Sequence, residues 1–199
     1  MTFSEGVKKM NAIDMIPGTV IRKDREGLNL NNGDFLYNVF AITNGLMLSQ
    51  VKDITGMDGP ALHNWIRRGW VMKPINKKYT INHVARILII NLLRSVMPLE
   101  KVACLLKYVN GDTDDLSDDI IDEVRLYKYI CKLDDLCNDL DLSCEDSITN
   151  VLSVCIEDYE EKISGAKEKL YNALKIVLLA YYAAKIKSKA VEMLEGLAM

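Results

Sequence analysis

Pro60, His63, Asn64 and Arg67 stand at i, i+3, i+4 and i+7, the spacing that places side chains on one face of a helix. Asparagine can bond adenine, and arginine guanine, through paired hydrogen bonds. Asn64 and Arg67 on one helical face therefore describe a reader of base edges in a DNA major groove. Arg68 flanks that face. Lys73, Lys77 and Lys78 follow in a short loop, and a lysine is a mobile point charge suited to holding phosphate. Gln50 and Lys52, one helix earlier, are placed to hold further phosphates. The plainer reading makes the same residues the solvated face of a small helical domain, with His63 merely exposed and Trp65 and Trp70 in the core.

The elements around these residues are those of a helix-turn-helix. Ser49 is a suitable N-cap for a first helix, with Val51 and Ile54 inward and Gly56 at its end, where a left-handed cap is cheapest for glycine. Asp58 can cap a second helix with Pro60 in its first turn. Ala61, Leu62, Trp65 and Ile66 form its buried stripe, and Gly69 closes it. Two helices within about twenty residues, with glycine at the turn, match the motif. Trp70-Val71-Met72 and Tyr79-Thr80 are expected to pair as the short strands of a wing, with Tyr79 counted among its DNA-contacting residues. Thr80 then caps a third helix to about Val96. Its middle is apolar nearly all round, so it belongs at the centre. Pro98 opens a fourth helix and Asn110-Gly111 ends it.

The expected fold class is all-α: a winged helix-turn-helix head with a small β wing, followed by a C-terminal helical bundle. Three stretches result: an N-terminal arm with a short helix over 1–45, the head over 46–111 and a helical domain over 112–199. An acidic link over 112–119 leads into a helix ending near Asp139. Ser143 and Asp146 have capping-box-like spacing for a helix to about Ile163, and a last helix runs past Gly165 to about Glu195. On that helix Leu170, Leu174, Val177, Tyr181, Ala184, Ser188 and Val191 repeat at alternating spacings of four and three. This is a seam suited to a partner helix and hence to dimerisation, although a bundle core has the same spacing.

The net charge of −3 conceals a partition. Residues 49–110 carry 10 Lys or Arg against 3 Asp or Glu, a net of +7; residues 112–161 carry 3 against 17, a net of −14. A polyanion responds to the local field, because exposed charges beyond ~10 Å are largely screened. The five cysteines include no CxxC pair and match no zinc spacing, so neither a metal site nor a cofactor is expected. Two histidines, no glycine-rich phosphate loop and no nucleophile motif argue against an enzyme. No apolar run reaches the ~18–20 residues of a membrane span, and no signal core opens the chain. The cytoplasm is the expected location.

The order helix, turn, helix, glycine, short wing ending in tyrosine, then a Pro-Leu-opened helix, resembles the MerR-type winged head over about residues 46–110. The landmarks are Leu48-Ser49-Gln50-Val51, Gly56, Leu62, Gly69, Tyr79, Ile87, Leu88, Arg94 and Leu99 to Leu106. The segment ITNGLMLSQVKDITGMDGPALHNWIRRGWV further resembles the bacterial domain-of-unknown-function 1836 family, over most of the chain. The resemblance implies a bacterial transcriptional regulator whose partner is double-stranded DNA. It departs from MerR heads where Pro60 and His63 stand in place of two backbone-contacting arginines, so phosphate holding would fall to Arg67, Arg68 and the wing. Two further partners are expected: a second copy bound through the C-terminal helices, and a small-molecule or protein effector. The rival reading is a protein-interaction module that keeps the fold without binding DNA, its acidic body serving as partner surface or autoinhibitor.

Overall fold

The computed structural model describes residues 15–23, 32–111, 118–137 and 144–197. Residues 1–14 and 24–31 of the expected arm, the core of the acidic link and Ser143 lie outside them. Among the described residues the chain is mostly helical: α1 (Phe35–Phe40), α2 (Leu48–Thr55), α3 (Gly59–Arg67), α4 (Ile81–Leu93), α5 (Leu99–Asn110), α6 (Glu123–Leu136), α7 (Glu145–Cys155) and α8 (Ala166–Leu197).

Helices α2 and α3 form as their cap residues dictate. The first begins one residue before Ser49: Met47 is its N-cap, and the Met47 N–H donates to Gln50 Oε1 at 2.8 Å. Gly56 ends it with φ of 66°, a left-handed conformation that costs glycine little. Asp58 Oδ1 accepts from the Ala61 N–H at 2.7 Å and so satisfies one orphan amide of α3. Leu62 and Trp65 point inward and are buried.

The wing differs from the sequence expectation. Trp70 to Met72 do not pair with Tyr79 and Thr80. Instead Tyr79 exchanges backbone hydrogen bonds with Leu46, just before α2, and Ile75 pairs with Lys78 across a two-residue turn. Asn76 and Lys77 both have positive φ, 50° and 64°, which is the geometry of the tight turn that twists with its flanking chain. Among the described residues these are isolated bridges with no continuous strand. The Trp70 carbonyl is occupied by the Arg86 guanidinium, Val71 is buried and Pro74 has no N–H to give a ladder.

Helix α4 is the axis of the molecule. Its residues from His83 to Ile90 are all buried, and one hydrophobic core joins Leu36, Leu62, Trp65 and Leu88 to Tyr127, Leu152 and Leu174. Helix α6 lies along α4, and α8 crosses α4, α5, α6 and α7. The segment before α1 is strapped onto this core. Gly18 sits so close to α4 that a Cβ there would meet the Leu88 carbonyl oxygen at 2.2 Å. Asn91 Nδ2 donates to the carbonyls of both Gly18 and Thr55, at 2.8 and 3.0 Å. Among the described residues no helix is long and apolar enough to cross a membrane.

The expected dimer seam is mostly interior. Leu170, Leu174, Val177 and Tyr181 are buried against the rest of the chain, Ala184 is half-buried, and only Val191 lies on an exposed turn. The four-three spacing is that of a bundle core, since α4 to α7 occupy that face.

Candidate nucleic-acid interface

Helix α3 presents His63 and Arg67 to solvent with Asn64 half-buried between them. Arg67 Nη2 donates to Asn64 Oδ1 at 2.8 Å. The two side chains chosen for base reading thus hold one another, through one guanidinium nitrogen and the Asn64 amide oxygen. Lys52, Lys73, Lys77 and Lys78 are exposed. Among the described residues, none of these lysines nor Arg67 is in an ion pair. Their charge is therefore available to a polyanion.

Three of the expected contact residues are placed otherwise. Tyr79 is 2% exposed, its ring edge-on to His83 and its hydroxyl pKa raised by burial, so it belongs to the core and leaves the interface. Arg68 donates to Glu100 at 3.0 Å and lies 4.9 Å over the Trp70 ring, which turns it towards α5. Gln50 has its carbonyl oxygen engaged at the start of α2.

The lysine loop is held by a residue without a role at the sequence level. His83, in the first turn of α4, is 3% exposed. Its Nδ1 accepts from the Thr80 N–H at 3.2 Å and lies 2.6 Å from the Thr80 hydroxyl, while Nε2 lies 3.0 Å from the Lys73 carbonyl. A backbone N–H can only donate and a carbonyl can only accept, so the partners select the neutral ring with its hydrogen on Nε2. Burial agrees, holding the pKa below the ordinary 6.5. The loop is thereby tied to α4 at Lys73 and to the start of α2 at Tyr79.

Behind the interface, Arg86 is also buried. Its Nε donates to the Trp70 carbonyl at 2.6 Å and its Nη1 to Glu123 at the start of α6. One signal for it was legible: an arginine inside the apolar run Ala85 to Ile90 must find a partner. Farther off, Asp134 of α6 is fully buried and receives Lys23, Lys185 and the Tyr181 hydroxyl. Burial opposes the Lys23 charge, yet Asp134 and Asp135 beside it hold its pKa above the usual lysine value. The buried cysteines are packing residues: burial pushes the Cys137 and Cys155 thiols up to about 11 and about 12.

Residues 35–130 match the family model described as Domain of unknown function (DUF1836). The DUF1836 match is shorter than the resemblance implied, but it covers more than the head. It runs from α1 through α2 to α5 and well into α6, which carries Glu123. The chain is also similar to the "Uncharacterized protein YkrK" of Bacillus subtilis (strain 168), 28% identical over 85 residues. That stretch is 41% of this chain and 36% of the relative, so little more than a third of the relative's length is matched. No solved structure matches.

Proposed function

We propose that this protein is a sequence-specific DNA-binding transcriptional regulator with a MerR-like head, in which α3 enters the major groove and the 73–78 loop acts as the wing. The observation that carries the reading is the pairing of Asn64 with Arg67 on an open helical face, beside a fixed loop of unpaired lysines. Base-reading side chains on a rigid helix with phosphate-holding cations at its margin are the two components of such an interface. The loop lysines carry more of the phosphate contact than Arg68, whose charge is partly met by Glu100. A cavity of about 400 Å³ bordered by Ile16, Asn91, Ser95, Lys187 and Ser188 offers a place for a small effector. Asn91, on its wall, is bonded to the last carbonyl of α2.

Fluorescence anisotropy with fragments from upstream of the protein's own coding region, across a salt series, tests the reading. Binding that weakens steeply with salt is expected, since counterion release gives a log–log slope of roughly −0.9 per phosphate contact. No binding even at low salt would overturn it in favour of a protein-interaction module.

A further inference from the structure

Helix α8 carries a second apolar stripe, on the face turned away from the core. Ile176, Leu179, Ile186, Met193 and Leu197 are exposed, with Ala183 and Ala190 completing spacings of three and four. Three of the large side chains are exposed by 65, 66 and 84% (Ile186, Met193 and Leu197). The repeat holds from 176 to 197, which at ~1.5 Å per residue is roughly 33 Å of helix. Monomeric proteins rarely show a contiguous apolar strip of this size. Residues 189–197 are exposed on every side, so about two and a half turns project beyond the bundle. A helix end of that length without tertiary cover is marginal in water.

We infer that this outward stripe packs against the α8 of a second copy of the chain. The occupant follows from the pattern. A strict heptad stripe is self-complementary, so the same strip on two copies forms an isologous seam about a two-fold axis. Alanine at residues 183 and 190, seven apart, allows close approach of the two backbones. At the exposures above, the five large side chains offer on the order of 600 Å² per copy, so two copies reach the roughly 1,200 Å² at which specific interfaces begin. Lys187 and Lys189 flank the seam and Glu192 and Glu195 lie on its far side, while at its N-terminal end Glu145 of α7 is paired with Lys175. The seam is distinct from the Leu170–Val191 stripe, which faces the chain's own core.

The inference is independent of DNA, because oligomeric state is measured on the protein alone. Sedimentation equilibrium of the full chain is expected to give twice the 22.5 kDa chain mass. Ile186→Glu with Met193→Glu, at exposed positions outside the hydrophobic core, is expected to raise the dimer dissociation constant more than about tenfold. Helicity up to about residue 185 should be retained by circular dichroism. Leu197→Glu, on the projecting end, is expected to weaken the dimer in the same direction without any effect on the bundle. Val191→Glu, on a different face of the same turns, is expected to leave it intact. A monomeric wild-type chain at tens of micromolar, or a dimer that survives both seam variants, would overturn the inference.

Discussion

His83 links a protonation state to the start of α4. Protonating it places a hydrogen on Nδ1, opposite the Thr80 N–H, and breaks that bond, while Nε2 goes on donating to the Lys73 carbonyl. Its pKa is lower in the folded chain than the ordinary 6.5, so the unfolded chain binds more protons in the interval between the two values. Stability therefore rises with pH there, and the contribution of His83 is complete above about 6.5 and lost as pH falls below it. Urea midpoints between pH 7.5 and 5.5 are expected to fall in the wild type, and to fall less in His83→Gln. On the proposed recognition face, Arg67→Ala is expected to cost about 1–3 kcal/mol of DNA binding and to relax the preference at one base position. Each loop-lysine-to-alanine change should instead weaken all sequences alike and flatten the salt slope by roughly one. Anisotropy titrations on cognate and scrambled fragments separate the two patterns.

At the scale of elements, Arg86 and Glu123 join three pieces: the turn after α3, the centre of α4 and the start of α6. A buried pair is weak as a source of net stability, because both ions lose hydration, but losing one partner strands the other. Glu123→Ala is expected to destabilise by about 3–5 kcal/mol, measured by urea unfolding, and Arg86→Met combined with Glu123→Leu to recover much of that loss. A double variant no better than the single one would mean that the Trp70 carbonyl contact dominates. Helix α3 itself was legible from Asp58, Pro60 and Gly69, because caps act within one turn of the residues they serve. The wing was not. Its pairing depends on Leu46, more than thirty residues from Tyr79, and no local pattern reports such a partner.

Across the whole molecule, Asp134 is the point where the N-terminal segment, α6 and α8 meet. Asp134→Ala leaves Lys23 and Lys185 without their buried partner. A loss of about 3–5 kcal/mol is expected, which for a chain of this size is roughly a 10 °C fall in melting temperature by calorimetry. The same core runs without interruption from Leu36 to Tyr181, and α6 packs directly on α4. The DUF1836 match, reaching residue 130, follows that continuity.

The sequence by itself determined most of the helices, the caps at Gly56 and Asp58, the polar face of α3 and the placing of α4 at the centre, because each depends on contacts within a few residues or on periodicity along one element. It could not decide which of two heptad stripes on α8 faces inward. Leu170–Val191 and Ile176–Leu197 have equivalent spacing, and only the packing of α4 to α7 against one of them settles the choice. Tyr79 was misplaced for the same reason: an aromatic at the end of a basic loop is a contact residue or a core residue according to what lies behind it. Here Leu46 and His83 lie behind it. Burial is a property of neighbours brought together from distant positions, and so it was decided only in three dimensions.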